Sequence, residues 1–154
     1  MRRLWVSLSI FACAIVIGCG AGGPVPIHYG TDQCEHCKMN IMDNRFGSET
    51  VTSTNKVYKF DSIECMAAFN AKMPQSSEQV ASLWVTDFYK PETIISLSSA
   101  NIIRTKGLRS PMGLGFVATS SQGEAEKFRS EYGGDILNWS EITKVVTDSW
   151  SSGH

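Results

Sequence analysis

Sulfur-bearing side chains are concentrated in one short segment, CEHCKMNIMD at residues 34–43. Cys34 and Cys37 form a CxxC pair, whose sulfurs suit a disulfide, half of a zinc site or a clamp for a soft metal equally well. Zinc normally takes four ligands, whereas two or three soft donors satisfy copper(I), and thioethers qualify. Met39 and Met42, beside the cysteines, therefore favour copper(I).

A zinc site would need a second CxxC or a HxxxH motif downstream. The chain offers only Cys65 as a further downstream cysteine, and its histidines other than His36 are His28 and His154. His36 itself lies between two cysteines that already supply donors, and a loop histidine is often merely solvated. A thioredoxin-like motif opens a helix after a strand, whereas a Gly/Pro-rich segment precedes this pair.

The remaining sulfur residues have a packing alternative. Methionine fills irregular gaps in cores, and we expect Met42 and Met66 to do so. Cys65 lies early in a predicted helix among apolar residues, where a buried inert thiol is at least as common as a ligand. The segment SPMGLG at 110–115 lacks the Lys-Ser/Thr of a phosphate-binding loop and is predicted to be a tight turn that carries Met112.

Residues 1–18 have the layout of an export signal. Arg2 and Arg3 precede an apolar stretch, 4–17, that is too short for a membrane span. The stretch ends in VIGC, which resembles the bacterial lipobox, where the signal is removed and the cysteine, here Cys19, is lipidated. The alternative is an ordinary export signal with a chance cysteine. We expect a protein that a lipid on Cys19 holds at the cell membrane, facing the periplasm or exterior. The sequence does not choose between the inner and the outer membrane.

The cysteine count and the charge limit the function classes. Cys13 leaves with the signal and Cys19 carries lipid, so Cys34, Cys37 and Cys65 remain in an oxidising compartment. Three thiols cannot all pair within one chain, so at least one is left for a metal, a partner or exchange chemistry. Removing the two signal arginines from the 14 basic residues leaves 12 against 15 acidic ones, a net charge of about −3. The sequence contains no basic patch, so we do not expect nucleic acid as a partner.

The pattern of elements predicts two similar units after a flexible tether at 19–31. Strands are expected at 48–54 and 57–60 with a tight turn between them, then a helix capped by Asp61 with Glu64 three residues on, and a strand at 82–88. The second unit repeats this order, with strands at 101–105 and 115–120. A helix follows, with Ser121 and Glu124 at its capped start and Gly133 and Gly134 at its end. A strand at 135–139 comes next.

These elements define the fold class. Two successive ββαβ units, about 45–90 and 100–146, predict an α+β fold with mainly antiparallel sheet. Together they make one domain at 32–146, in which 140–146 is a short terminal helix and 147–154 is a tail.

Three stretches together resemble the NosL family of lipoprotein copper chaperones that accompany nitrous oxide reductase. They are CEHCKMNIMDNRFGSETVT, VYKFDSIECMAAF and SPMGLGFVATSSQGEAEKFRSEYGGDILNWSEI, and the resemblance extends from Cys34 to Ile142. It implies a periplasm-facing lipoprotein, not an enzyme, that binds copper(I) and passes it to apo nitrous oxide reductase or another copper acceptor beside a membrane transporter complex. It also implies a fold of two ββαβ units, related to part of the organomercurial lyase fold.

The resemblance also ranks the ligands. Many family members read CGM where this chain has Cys37, Lys38 and Met39. Lysine therefore replaces the glycine, and the local backbone conformation can differ from that of those members. Cys37 and Met39 keep their places, whereas Cys34 and Cys65 occur in only some members. The expected metal ligands are Cys37, Met39, Cys34, Cys65, Met112 and His36.

The expected mechanism is ligand exchange. A site of low coordination number leaves room for an incoming ligand of the acceptor, and copper affinity should rise with pH as thiols deprotonate. Two other classes remain open: a thiol-disulfide exchange lipoprotein that uses Cys34 and Cys37, and a structural lipoprotein in which these two form a disulfide.

Overall fold

The computed structural model describes residues 22–73 and 79–151. The elements in these ranges are β1 (Ser48–Thr52), β2 (Val57–Phe60), α1 (Ile63–Lys72), β3 (Val80–Thr86), β4 (Ile94–Ser96), β5 (Asn101–Arg104), β6 (Phe116–Thr119), α2 (Gln122–Tyr132), β7 (Asp135–Leu137) and α3 (Trp139–Ser151).

Two antiparallel sheets confirm the predicted pair of ββαβ units. The first has the strand order β2-β1-β3-β4 and the second β6-β5-β7. In each unit the first strand is flanked by its hairpin partner and by the strand that follows the helix. The sheets meet where Phe88 donates its backbone N–H to the carbonyl of Ala118, at 2.8 Å.

The two units share one core. Aromatic and aliphatic side chains from both pack into a single cluster that fixes α1 against β1, β2 and α3. Its buried members include Phe60, Ile63, Met66 and Val85 from the first unit and Ile102, Phe116, Ala118, Ile142 and Val146 from the second. A smaller cluster around Phe88 and Phe128 lies beneath α2.

Capping explains where the helices begin. The prediction that Asp61 caps α1 was wrong, because Ser62 holds the extended N-cap conformation and its side chain accepts from the backbone N–H of Cys65. The predicted cap of α2 is confirmed: Ser121 accepts from the N–H of Glu124, at 3.2 Å, and the helix stops at Gly133.

The C-terminal helix is longer than predicted. It extends through residues assigned above to a tail, and it starts at Trp139 instead of 140. Asn138 and Glu141 explain the start, because Asn138 accepts from the N–H of Glu141 and Glu141 accepts from the N–H of Asn138. The predicted strand at 135–139 is therefore shortened to β7. Strand β4 was not predicted.

The segment before residue 32 differs from the predicted flexible tether. From residue 22 it lies along the first sheet: Val25 donates its N–H to Glu49 at 3.0 Å, and Pro26 accepts from Lys59 Nζ at 2.7 Å. The Tyr29 hydroxyl lies 3.2 Å from that of Thr86. The signal peptide at 1–18 and Cys19 lie outside the described residues. Among the described helices, none combines the length and apolar character that a membrane crossing requires.

Candidate metal centre

The CxxC pair lies in a closed loop that the first sheet anchors. Cys34 donates its N–H to the carbonyl of Met39, at 2.8 Å, and accepts from the N–H of Lys38, at 3.0 Å. Glu35 donates its N–H to the carbonyl of Lys59 in β2, at 2.8 Å. Lys38 adopts a left-handed backbone with φ of 63°, which lets the loop close within six residues. The lysine thus takes up a conformation that glycine adopts without strain.

The junction between β2 and α1 supplies the rest of the centre. β2 ends at Phe60, Asp61 follows, Ser62 caps the helix, and Cys65 lies in its first turn. Because the cap is Ser62, the Asp61 carboxylate is not used to close the helix. It turns to the CxxC loop, where its Oδ2 accepts from the Cys37 thiol at 3.4 Å.

Four ligand atoms converge at this junction. The three sulfurs of Cys34, Cys37 and Cys65 and a carboxylate oxygen of Asp61 all lie within 4.8 Å of one another. Cys34 and Cys65 are fully buried, Asp61 is 3% exposed, and Cys37 is half-buried. All three cysteines are free thiols. Spacing of this kind suits a metal ion held among several donors.

The thiols differ in their readiness to ionise. Hydrogen bonding from Cys65 lowers the pKa of Cys34 to about 6, so Cys34 is mainly a thiolate at neutral pH. The same hydrogen bond, together with burial, raises the pKa of Cys65. Burial raises the pKa of Cys37 to about 11. The N-terminus of α1 places the positive end of its dipole beside Cys65, which favours negative charge in the cluster.

The methionines divide by exposure, and one prediction fails. Met66 is fully buried in the core, as predicted, and Met112 is half-buried against the same core. The prediction that Met42 fills the core was wrong, because its side chain is 69% exposed. Met39 is 51% exposed. Met42 lies outside because the buried position of this segment is taken by its neighbour Ile41, which is fully buried.

An open groove of about 580 Å³ borders the centre at Asp61. Met39 and Met42 line it together with Asp61 and Arg109. The remaining lining residues are Asn40, Asp43, Ser110 and Pro111. Two exposed thioethers and the buried Asp61 carboxylate of the centre therefore share one opening.

His36 is not among the residues that line this groove. Its ring stacks on that of Trp150 in α3, with ring centroids 5.4 Å apart and an angle of 8° between the planes. Burial lowers the pKa of His36. The contact ties the tip of the CxxC loop to the C-terminal helix, which is a structural use for a residue expected among the ligands.

The loop at 110–115 is joined to α1 by a buried hydrogen bond. The hydroxyl of Ser110 donates to the Glu64 carboxylate and accepts from the N–H of Gly115, at 2.8 Å. Gly113 and Gly115 have φ of 84° and 78°, and Gly113 donates its N–H to the Ser110 carbonyl at 2.9 Å, so the predicted tight turn is confirmed. Burial raises the pKa of Glu64.

Asp61 is the candidate ligand that the sequence analysis missed. Its position three residues before Glu64 looks like half of a capping box, and this pattern concealed the carboxylate. A signal was nevertheless present: a serine that can itself cap follows Asp61, and a cysteine lies one helical turn beyond it.

Comparison with known proteins agrees with this architecture. The chain superposes on the crystal structure of the copper chaperone NosL from Shewanella denitrificans with a TM-score of 0.68 and 26% identity, covering 82% of this chain and 98% of that one. No protein with a curated description matches the sequence. A sequence profile of the NosL family matches residues 24–147, and the chain therefore belongs to the NosL family.

Proposed function

We propose that this protein is a lipid-anchored copper(I) carrier that delivers its cargo to a periplasmic copper enzyme, nitrous oxide reductase being the favoured acceptor. The observation that carries the proposal is the convergence of three cysteine sulfurs within 4.8 Å in a chain that shares its fold with a copper chaperone. Thiolates and thioethers are the ligands that copper(I) prefers.

The ligand set follows from exposure and charge. Cys34 supplies a thiolate at neutral pH, and Cys37 is the more accessible sulfur because it is half-buried whereas Cys34 and Cys65 are buried. Met39 lies on the groove and adds a thioether. A third or fourth sulfur donor is available from Cys65 or Met112. Two or three donors satisfy copper(I), so an acceptor sulfur that enters the groove can join the site before a ligand of the carrier leaves.

The exposed methionines support transfer by ligand exchange. Met39 and Met42 present thioethers to solvent on one groove, where weak soft donors can pass copper(I) between the buried thiols and a docked partner. The carrier makes and breaks metal-ligand bonds only, so its function is that of a metallochaperone and not of an enzyme.

Thiol-disulfide exchange is less well supported by the same geometry. An exchange nucleophile needs a low pKa and access to its partner. Here the cysteine of low pKa, Cys34, is fully buried, whereas the accessible one, Cys37, has its pKa raised to about 11. The two requirements therefore fall on different residues.

Localisation and partners complete the proposal. A lipid on Cys19 would hold the carrier at the membrane surface, facing the periplasm or exterior, next to the transporter complex of the same pathway. Gly22 contacts Asn55 in the turn between β1 and β2 and Val25 contacts Glu49 in β1, and two residues of sequence separate Cys19 from Gly22. Such a short spacer confines the carrier to the immediate surface.

Anaerobic titration of the reduced soluble domain with copper(I) tests the proposal. We expect one copper(I) per chain, loss of tight binding in Cys37→Ala, and a decrease of about tenfold in affinity in Met39→Ala. Met73→Ala is the matched control, since Met73 caps the far end of α1. Unchanged affinity in Cys37→Ala, or disulfide reductase activity without copper binding, would contradict the proposal.

A further inference from the structure

The N-terminal segment that lies along the first sheet is held unequally along its length. Ile27 and Tyr29 pack against the shared core. Gly47, just before β1, leaves room for them, because a Cβ there would lie 2.6 Å from the Tyr29 hydroxyl. Residues 22–26 have no such seat: none of them is buried, and Val25 is 39% exposed. The chain is therefore fixed from Ile27 onward, whereas residues 22–26 are attached mainly by polar contacts.

A cavity of about 250 Å³ lies between this segment and the first sheet. Residues 24–27 and Tyr29 line one side of it, and Thr86, Glu92 and Ile94 line the other. Close packing holds most chain segments in place, so a volume of this size beside residues 24–27 weakens their attachment. A segment with few buried apolar contacts opens locally at a low cost in free energy.

One buried carboxyl group holds the middle of segment 22–26. Glu49 in β1 is fully buried, and its Oε2 accepts from the backbone N–H of Val25 at 3.0 Å. Both neighbours of Val25 are prolines, which have no N–H to donate. The second tie is the carbonyl of Pro26, which accepts from Lys59 Nζ at 2.7 Å. The state of the Glu49 carboxyl therefore affects the one backbone donor that this part of the segment offers to the sheet.

The surroundings of Glu49 favour its neutral form while the segment is in place. Burial raises the pKa of Glu49 to about 7, although the hydrogen bond from Val25 and the charge of Lys59 oppose this rise and Asp32 adds to it. Lys59 lies opposite Glu49 in β2, but its Nζ is bonded to Asp32 at 2.7 Å. The residue opposite in β3 is the uncharged Trp84, and Glu49 Oε1 has no hydrogen-bond partner among the described residues. The other titratable side chains of residues 22–31 are His28 and Tyr29.

We propose that residues 22–26 form a latch that a proton on Glu49 keeps closed and that opens when Glu49 ionises. A carboxylate buried without enough partners is costly, and opening lets water reach it. Because the closed latch holds the proton more tightly than the open one, closing takes up a proton and opening releases it. A rise in pH towards neutrality therefore shifts the latch from closed to open.

The latch sets the length of chain that links the domain to its proposed anchor. When it is closed, two residues separate Cys19 from the first contact at Gly22. When it is open, residues 20–26 all precede the fixed Ile27, and a chain of this length reaches about 25 Å. The carrier is then held close to the membrane at low pH and reaches further at neutral pH. This consequence rests on the proposed lipid on Cys19, whereas the latch itself does not.

Amide hydrogen exchange, measured by NMR on the full-length protein in detergent, tests the latch. The protection factor compares the exchange rate with that of an unstructured peptide at the same pH. For Val25 it should fall by at least about tenfold between pH 5 and pH 8. The N–H of Gly133, which donates to the carbonyl of Arg129 at 2.9 Å, is the control and should keep its protection. In Glu49→Gln the protection of Val25 should stay at its pH 5 value, whereas His28→Gln should keep the wild-type dependence.

The carbon-13 shift of the Glu49 carboxyl in the wild type keeps the test decisive even if Glu49→Gln fails to fold. Ionisation of Glu49 over the pH range in which Val25 loses protection would support the latch. It would be overturned by constant Val25 protection, by a Glu49 already ionised at pH 5, by the wild-type dependence in folded Glu49→Gln, or by loss of that dependence in His28→Gln.

Copper(I) titration of the same samples separates the two proposals. Copper binding with constant Val25 protection overturns only the latch. A working latch in a protein that binds no copper overturns only copper carriage.

Discussion

Single residues decide which thiol is charged before a metal arrives. Cys34 is the thiolate because the Cys65 thiol donates a hydrogen bond to it, while burial keeps Cys37 protonated. When the CxxC pair binds a metal at neutral pH, Cys37 therefore releases a proton, whereas Cys34 has already lost its own. Sequence spacing could not indicate this difference, because its cause is a cysteine 31 positions beyond Cys34.

The pH dependence of copper(I) affinity follows from these pKa values. Between pH 7 and pH 9 Cys34 is already deprotonated, so binding through Cys34 and Cys37 releases one proton, from Cys37. The apparent association constant should rise about tenfold per pH unit there, and more steeply below pH 6, where Cys34 also loses its proton.

Competition with a copper(I) chelator of known affinity at each pH measures this slope. In Cys37→Ala the residual affinity should be nearly independent of pH between 7 and 9. A slope near two in the wild type over that range would show that Cys65 also loses its proton, and would contradict a site with two thiolates.

Lys38 holds the CxxC loop in a backbone conformation that glycine adopts more readily. Its φ of 63° is a left-handed conformation, which costs a residue with a Cβ about 1–2 kcal/mol relative to its ordinary state. The exposed ion pair between Lys38 and Glu35, at 2.9 Å, offsets little of this cost.

We expect Lys38→Gly to be more stable to urea than Lys38→Ala by about 1 kcal/mol. Both variants lose the ion pair, so the comparison isolates the backbone. Equal stability of the two would show that the loop does not hold residue 38 in the left-handed region. Circular dichroism would establish that both retain the fold.

At the scale of elements, periodicity and turn chemistry predicted most of the architecture. The hairpin at β1 and β2 follows from β-prone runs around a turn where Asn55 adopts a φ of 64°, a conformation that asparagine tolerates. The cap at Ser121 was likewise visible in the sequence. What failed was the choice between adjacent capping residues, Asp61 and Ser62, since either can cap and only the packing of the CxxC loop selects one.

Contacts between distant elements were beyond the sequence. Nothing local indicates that Glu64 on α1 accepts a hydrogen bond from Ser110, 46 residues away. The bond forms because the second unit places its 110–115 loop over the start of α1. Glu64 is a buried carboxyl whose other oxygen, Oε2, has no hydrogen-bond partner among the described residues. The hydrogen bond between Ser110 and Glu64 therefore couples the loop to the helix.

Ser110→Ala should destabilise the protein by about 2–3 kcal/mol, because it leaves Glu64 and the N–H of Gly115 without their partner in a buried environment. Urea unfolding followed by tryptophan fluorescence measures the change. Ser130→Ala, on the exposed face of α2, is the control and should change stability by less than about 0.5 kcal/mol. A Ser110→Ala variant as stable as this control would mean that the loop is held in another way.

At the scale of the whole molecule, the candidate metal site and the proposed lipid anchor belong to separate parts of the sequence. The thiol cluster is built from residues between Cys34 and Cys65, whereas Cys19 precedes the first described residue. Segment 22–31 lies along the sheet, so the domain itself and not a long tether would face the membrane. Lipidation should therefore affect where copper is delivered and not how tightly it is held.

Cys19→Ser tests this separation. We expect the variant to leave the membrane fraction and lose incorporation of labelled palmitate, while the purified domain binds copper(I) with unchanged affinity.

Copper delivery by this variant should fall, because a tether raises the effective concentration of a carrier near its partner to the millimolar range. Copper content of nitrous oxide reductase in cells that express the variant measures delivery. Replacing residues 1–21 with a transmembrane helix should restore it. Full delivery by the soluble variant would show that the anchor is dispensable, and altered copper affinity would show that the two parts are coupled.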